Sequence, residues 1–288
     1  MRKTLAIRQR GFTIVEAIVV IVITGIIGAI VAVFIKLPVR GYLDSVARAE
    51  AADMADNTMR RLTRELRLAL PNSVRANGTA IEFIETKVGL RYLADDDIGP
   101  VGGIPLSWTD ATATTFSVVG GIPGGRHAPV LNDFVVIYNL GAGQEPANAY
   151  ANCAGPCNRA QIAAINPVAS TMTLLANPFA AQSAAGTALA SPVKRFHVIT
   201  GPVSYVCDSA TRRLTRHWGY GFLADQPTAF TTGNRAILAE NVVSCAFAYD
   251  TLASQHSALI GITLTLQVQD ENRSQVTLMH QVHVDNTP

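Results

Sequence analysis

The sequence predicts an α+β protein, in which a long N-terminal helix packs on an antiparallel, β-rich C-terminal head. Three observations support this class. One uncharged apolar block lies near the N-terminus, helical spacing of apolar residues continues as far as Leu70, and the pattern after Pro71 is that of β-strands. Strands do not alternate with helices in the head, so a parallel doubly wound sheet is not expected.

The N-terminal block is long enough to cross a membrane. The nineteen residues from Ala17 to Ile35 carry no charge and are rich in Ile and Val. At about 1.5 Å per residue they just span a hydrocarbon core of roughly 30 Å. The first eleven residues form a basic leader without acids, which contains Arg2, Lys3, Arg8 and Arg10. Because positive residues favour the cytoplasmic side, the N-terminus is expected to stay inside and the chain after the span to be exported.

The basic balance of the chain belongs to this leader. The 288 residues have a net charge of +2, with 23 Lys and Arg against 21 acids. Removal of the leader takes Lys and Arg from 23 to 19, so the remaining chain has a net charge of −2. A nucleic-acid partner is therefore not expected.

Glu16 is unusual because it lies near the start of an otherwise apolar helix. A carboxylate within a bilayer costs about 2.5–3.5 kcal/mol, and such a residue usually has a partner. No basic residue follows Glu16 within helical reach. If the chain is cut after Gly11, the new amine of Phe12 lies one turn away, and in an assembly a neighbour's amine could pair with Glu16 instead. An acid wetted by water near the headgroups is the alternative.

The run Arg10-Gly11-Phe12-Thr13-Ile14-Val15-Glu16 before an apolar helix resembles the class III signal of type IV prepilins. An ordinary secretory signal has its cleavage site after the apolar region, not before it. The resemblance implies that a membrane prepilin peptidase cuts after Gly11 and methylates the amine of Phe12. It also implies that Glu16 sets the register of one subunit against the next. A plain signal-anchor helix is the alternative interpretation.

Four segments are expected along the chain: a leader at 1–11, a transmembrane helix half at 12–36, an amphipathic helix half at 37–70 and a β-rich head at 71–288. Pro38 is expected to kink the helix, and Pro71 to end it. The predicted apolar stripe of the second half consists of Leu43, Ala47, Ala51, Met54, Thr58, Leu62, Leu66 and Ala69.

The head contains several strand candidates. Asn77-Gly78 predicts a hairpin turn before the alternating segment 80–85. Further candidates are 133–140, 171–175, 195–199, 203–208, 213–217, 242–249, 259–268 and 275–284, of which the last two are expected to form a hairpin. The Gly- and Pro-rich stretch Gly99–Gly125 and the small-residue stretch Ala176–Pro192 are expected to be surface loops.

The four cysteines are compatible with two disulfides in an oxidising compartment. Cys153 and Cys157 enclose a tight Gly-Pro turn, which favours a short disulfide loop over metal binding because no second Cys/His pair lies at metal spacing. Cys207 and Cys245 each lie in a predicted strand and are expected to pair. Four cysteines still allow three connectivities.

The sequence predicts no catalytic residues, no metal site and no cofactor. Gly120–His127 approaches a phosphate-binding loop but has Arg and His where Lys and Ser/Thr are needed, so a plain glycine-rich loop is favoured. Asp95–Asp97 matches no calcium-loop spacing and is interpreted as a solvated loop. The aromatic residues Trp108, Trp218, Tyr220 and Phe222 are expected to pack or to anchor turns, with glycan binding as the alternative.

Three further segments resemble minor prepilins of the mannose-sensitive haemagglutinin (MSHA) pilus: Ala69–Arg75, Val203–Asp208 leading into Arg213–Trp218, and His280–Asn286. The resemblance implies a minor pilin that waits in the inner membrane with its head in the periplasm and is then built into a surface pilus. The implied partners are the prepilin peptidase, other major and minor pilins, and the inner-membrane assembly platform. A J-type minor pseudopilin of type II secretion, a signal-anchored periplasmic enzyme and an adhesin proper are the alternatives.

Overall fold

A computed structural model of the chain describes residues 11–97, 102–184, 190–250, 257–270 and 272–288. The predicted leader, apart from Gly11, lies outside these residues. The chain divides into two compact units, and each is described by itself. The first comprises the residues up to Glu50 together with Val268–Ser274, and the second comprises Ala51–Gln267 and Gln275–Pro288.

Helix α1 runs from Ile14 to Leu66 and contains Pro38 in its interior. Helical structure continues through Pro38, since a proline ring removes only one backbone N–H from a helix that is otherwise bonded on both sides. The predicted kink stays a prediction. The helix ends at Leu66 and not at the predicted Leu70. Beyond it, Ala69 pairs with Glu85, and the N–H of Leu70 donates to the carbonyl of Ile84 at 2.7 Å. The end of the predicted helix has therefore joined a strand.

The head contains twelve strands among the described residues. They are β1 (Arg75–Ala76), β2 (Ala80–Tyr92), β3 (Thr115–Val119), β4 (Phe134–Val136), β5 (Arg159–Asn166), β6 (Thr171–Leu174), β7 (Arg195–Asp208), β8 (Arg213–Trp218), β9 (Asn234–Glu240), β10 (Val242–Asp250), β11 (Ser257–Gln267) and β12 (Gln275–Asp285). A short helix α2 spans Pro178–Ala184. The ladders are antiparallel, as predicted.

Several predicted strands and hairpins are confirmed. β1 and β2 form the hairpin predicted at Asn77-Gly78, with Ala76 opposite Ile81. β11 and β12 form the predicted C-terminal hairpin in one continuous register from Ser257 opposite Asp285 to Gln267 opposite Gln275. The two strands predicted at 195–199 and 203–208 are instead the single strand β7, because the chain passes between them as a bulge opposite Ile84 and Thr86.

Other elements were not predicted. Strand β3 lies within the expected loop Gly99–Gly125, and α2 lies within the expected loop Ala176–Pro192. Residues 98–101 and 185–189 of those loops lie outside the described part of the chain. Strands β5 and β9 contain good helix formers such as Ala, Arg and Glu, so their pairing in the sheet overrides local preference.

Six of the strands close into a small barrel. The ladders run β2–β3, β3–β6, β6–β5, β5–β4, β4–β7 and back from β7 to β2. A hydrophobic core that includes Tyr92, Phe116, Phe179 and Phe196 belongs to this ring. Phe116 and Phe196 meet edge to face, with 5.5 Å between ring centroids. Closure leaves the barrel strands without open edges around the ring.

The second half of α1 packs on a different core. Ala55, Met59, Leu62 and Leu66 are fully buried against side chains of β2, β7, β8 and the three-stranded sheet β10–β11–β12. The prediction that this half of the helix packs on the β-rich head is confirmed. The predicted stripe was partly wrong: Ala55 and Met59 are buried, whereas Met54 is exposed. The helix therefore presents a slightly rotated face to the sheet.

Candidate functional site

The described chain begins with the predicted processing segment. Gly11, Phe12 and Thr13 precede α1, and all three are exposed. Thr13 caps the helix: its hydroxyl accepts the backbone N–H of Glu16 at 3.3 Å, and its carbonyl accepts that of Ala17 at 3.2 Å. This Thr-x-x-Glu spacing is that of a capping box, so the helix start at Ile14 follows from the local sequence.

Within the described residues, no contact of Gly11 requires it to be glycine. A Cβ at this position would meet no atom within 4 Å, and its φ angle is not in the left-handed region. A requirement for glycine here would come from another molecule, such as an enzyme that must approach the backbone closely.

The side chains of Phe12 and Glu16 have no hydrogen-bond or ion-pair partner among the described residues. The side chain of Phe12 is 71% exposed, and the carboxylate of Glu16 accepts no hydrogen bond and forms no ion pair within that part of the chain. The structure therefore places the predicted processing and register residues on one accessible segment. Their predicted roles stay predictions.

The apolar half of α1 is exposed along its length. Within the described chain, α1 is the helix that is long and apolar enough to cross a membrane, with a mean hydropathy of 3.2 in its most apolar window, and none of that window is buried. Thr24 bonds back to the carbonyls of Val20 and Ile21. Its hydroxyl is thereby satisfied inside the helix, as a lipid environment requires.

Two disulfides are present in the head. Cys153–Cys157 closes a loop before β5, and Cys207–Cys245 joins β7 of the nine-stranded sheet to β10 of the three-stranded sheet. The second bond thus links the two sheets at the core on which α1 packs.

A buried ionic network joins α1 to these strands. The carboxylate of Glu65 accepts hydrogen bonds from the Tyr205 hydroxyl at 2.6 Å, from Arg216 Nε at 2.7 Å and from Arg61 Nε at 3.1 Å. Burial raises the pKa of Glu65, but the hydrogen bonds from Tyr205 and Arg216 outweigh it, so the pKa lies below its usual value. This network was not predicted, although the position of Glu65 between Leu62 and Leu66 on the apolar stripe signals a buried acid.

A second buried acid holds the loop after β8. Glu82 accepts Arg75 Nε at 2.5 Å and the Tyr220 hydroxyl at 2.7 Å. Burial raises the pKa of Glu82 despite these two donors. Arg75 also donates to the carbonyl of Leu223 and lies over the ring of Tyr150, 3.7 Å from its centroid. These contacts stabilise the fold and leave no open cleft around the carboxylate.

The acidic motif is held by ion pairs, and the glycine-rich motif contains a single turn. Lys194 Nζ bonds Asp96 at 2.7 Å and Asp97 at 2.8 Å, and Arg91 also bonds Asp97. The hydrogen bond from Lys194 lowers the pKa of Asp97. In the described residues, no group of three metal-binding side chains occurs. Gly125–His127 forms a single 3-10 turn rather than the start of a helix.

The aromatic residues singled out in the sequence have intramolecular contacts. Trp108 packs on Tyr92 and Phe179 in the barrel core. Arg216 lies 4.9 Å from the ring centroid of Trp218, and Arg159 lies 3.5 Å from that of Phe222. With Tyr220 bonded to Glu82, each of the four takes part in packing or in anchoring a loop.

Comparison with known proteins returns one family. Residues 7–32 match the family described as the prokaryotic N-terminal methylation motif. No curated protein and no solved structure matches the chain. The motif, the apolar helix and the antiparallel β-rich head together are those of a type IV pilin- or pseudopilin-like protein. Such a motif implies processing by a prepilin peptidase and interaction with other pilins.

Proposed function

We propose that the chain is a minor pilin of an MSHA-type type IV pilus, processed after Gly11, methylated on Phe12 and incorporated at or near the pilus tip or during the start of assembly. The observation that carries the proposal is the methylation motif at residues 7–32, followed directly by an exposed apolar helix half. The segments that resemble MshO, a minor prepilin of the MSHA pilus, favour the MSHA system over other pili; they are Ala69–Arg75, Val203–Asp208 leading into Arg213–Trp218, and His280–Asn286.

The proposed segment boundaries follow the motif. Residues 1–11 are the leader, 12–36 the membrane-spanning half of the helix, and the head is periplasmic before it reaches the cell surface. In the inner membrane the chain contacts the assembly platform. In the pilus, Glu16 pairs with the Phe12 amine of a neighbouring subunit. This pairing is supported by the exposure of Phe12 and by the lack of a partner for Glu16 in the described chain.

Placement at the tip is supported by the size of the head. Besides the sheet that covers α1, the head carries the closed barrel and its separate hydrophobic core. A subunit with this extra module is poorly suited to a repeating shaft in which each head must fit against its neighbours. Immunogold labelling of the head on sheared pili tests the placement. Label at one end is expected, and uniform label along the shaft would exclude the tip.

Mass spectrometry of the membrane-extracted protein tests the processing. The expected N-terminus is N-methyl-Phe12. The matched variant is Glu16→Leu, which is expected to retain this N-terminus but not to be incorporated into pili. Any other mature N-terminus would falsify the pilin interpretation. A gene deletion distinguishes the type IV pilus from the type II secretion system. Loss of surface pili supports the proposal, whereas normal pili with lost exoprotein secretion would support a J-type pseudopilin.

A further inference from the structure

Strand β12 is an open and unprotected edge. It is the outer strand of the sheet β10–β11–β12, spans 11 residues and shows no bulge in its register with β11. Residues Gln275–Val284 contain no charged residue and no proline. Natural proteins usually protect exposed edges with lysine, proline, bulges or short strands, because an open edge accepts further strands. β12 has none of these devices.

The register shows which backbone groups point to the open edge. The N–H of Gln267 in β11 donates to the carbonyl of Asn241, away from β12, at 2.8 Å. Gln267 lies opposite Gln275, and hydrogen-bonded positions alternate along an antiparallel pair. The N–H and C=O groups of residues 275, 277, 279, 281, 283 and 285 therefore face outward. Among them, Met279 has a side chain that is 79% exposed.

A basic groove of about 480 Å³ lies between this edge and α1. His280 of β12 forms one wall, and Arg60, Thr63, Arg64 and Arg67 lie on the other. Arg60 is paired with Asp56 at 2.6 Å. Arg64 and Arg67 have no ion-pair partner within the described residues, so the groove has two uncompensated positive charges.

Thr63 supplies a second, independent observation. Its side chain is 93% buried, since its relative exposure is 7%, yet its hydroxyl has no hydrogen-bond partner in the described chain. Thr24 in the same helix bonds back to its own backbone, and Thr58 bonds the carbonyl of Leu238 at 3.1 Å. An unpaired buried hydroxyl costs about 1–3 kcal/mol, and this one lies in the groove where a bound acceptor would satisfy it.

We propose that the open edge of β12 and the basic groove beside it dock an extended acidic strand from the head of a neighbouring pilus subunit. The added strand pairs with the outward backbone groups of β12, about 4.8 Å away. Every second side chain of that strand then faces α1, where carboxylates meet Arg64 and Arg67 and accept a hydrogen bond from Thr63. A second copy of β12 fits poorly, because it brings no acid before Asp285.

This inference rests on the proposed function, which supplies the neighbouring subunit. Two matched probes test it on the full chain purified in detergent: fluorescein-labelled acetyl-Thr-Glu-Val-Glu-Thr-Glu-Val-Glu-Thr, and the same peptide with Gln in place of Glu. The Glu peptide is expected to bind at least about tenfold more tightly, by fluorescence anisotropy, because only its side chains complement the arginines. It is also expected to slow hydrogen exchange at the outward amides of β12.

Variants of the chain separate the contribution of the β12 backbone to peptide binding from that of the arginine charges. Met279→Pro removes one outward N–H and is expected to abolish binding, whereas Met279→Ala retains it and binds normally. Arg64→Glu with Arg67→Glu is expected to weaken binding at least about tenfold, and Arg235→Glu on β9 is the exposed control without effect.

Several results would overturn the docking inference: equal binding of the Gln peptide, insensitivity to Met279→Pro, unchanged exchange in β12, or self-association through β12 on size-exclusion chromatography. Mass spectrometry of the same preparation distinguishes a failure of the docking inference from a failure of the proposed function. If N-methyl-Phe12 is present and the peptide does not bind, the docking inference alone is wrong. If the N-terminus is unprocessed, the proposed function fails first.

Discussion

The two ends of helix α1 differ in what covers their apolar side chains. In the N-terminal half, Ile21 is 69% exposed and Ile23 is 50% exposed. Near the C-terminal end, Leu62 and Leu66 have no exposed surface at all. Both halves belong to one continuous helix, so the difference lies in the pattern of their apolar residues and in their surroundings. The C-terminal half is built for the sheet of its own head, whereas the N-terminal half requires lipid or another helix to cover it.

The largest effect should come from Gly11→Val. Since a Cβ at this position meets no atom within 4 Å, the variant should fold normally, with the unfolding temperature of the head unchanged. The peptidase, however, should no longer cut the chain. We expect intact-mass measurements to show only the unprocessed chain, and recovery of N-methyl-Phe12 at the wild-type level would contradict the assignment of the cleavage site.

Leu62→Ala and Ile23→Ala test the contrast between the two halves directly. Leu62 is fully buried, so its truncation should cost about 2–5 kcal/mol of unfolding free energy. Ile23 lies outside the head and belongs to no buried core of the described residues, so its truncation should leave head unfolding unchanged. Urea denaturation of both variants in the same detergent measures the difference, and similar losses would show that the comparison between the halves is mistaken.

The two disulfides should differ in the stability that they contribute. Cys207–Cys245 spans 38 residues and links two sheets, whereas Cys153–Cys157 spans only 4. Replacing both Cys207 and Cys245 by Ser should cost about 2–4 kcal/mol, because a longer loop is constrained in the unfolded chain. The paired Cys153→Ser and Cys157→Ser change should cost less. Thermal unfolding of the two double variants measures which disulfide contributes more stability, and a larger loss for the Cys153 and Cys157 variant would contradict the prediction.

Glu65→Gln should have the smallest effect, with a distinct pH dependence. Because hydrogen bonds from Tyr205 and Arg216 hold the pKa of Glu65 below its usual value, the folded chain binds this proton less tightly than the unfolded chain does. The contribution of ionised Glu65 to the free energy of unfolding is therefore complete above the usual carboxyl pKa and is lost as the pH falls through the lowered pKa. We expect a loss of about 1–2 kcal/mol at pH 7 that shrinks below about pH 4.

Denaturant unfolding at several pH values measures this loss. Glu240→Gln, which breaks a surface pair with Arg213, is the control and should change little. A loss for Glu65→Gln that stays constant down to the lowest pH would show that the charge of Glu65 contributes nothing.

The elements that the sequence could predict are those with strong local patterns. The run from Ala17 to Ile35 was recognisable by its length and lack of charge, the first hairpin by its Asn77-Gly78 turn, and the C-terminal hairpin by two long strand segments with a polar stretch between them. Strands β3, β5 and β9 were missed because they are short, or rich in residues that prefer helices, and depend on pairing with distant strands. Closure of the barrel depends on such distant pairing and has no local signal.

The candidate functional residues divide in the same way. Gly11, Phe12 and Glu16 were predicted because their roles depend on spacing along the chain, and the family match covers that segment. The groove beside β12 was not predicted, since it brings Thr63 and Arg64 next to His280, more than two hundred positions away in sequence. Only the packing of α1 on the C-terminal hairpin makes these residues neighbours.

Strands β2 and β7 are shared by the barrel and by the sheet on which α1 packs, and they show where the barrel is inserted in the chain. Arg91, near the end of β2, lies directly opposite Arg195, where β7 begins, so the chain leaves and re-enters at adjacent positions. In topological terms, residues 93–194 are a hairpin connection that has expanded into a module with its own interior. A replacement for this connection must therefore cover Tyr92 and Phe196, which β2 and β7 contribute to the barrel core, and must supply the contact that Tyr150 makes with Arg75.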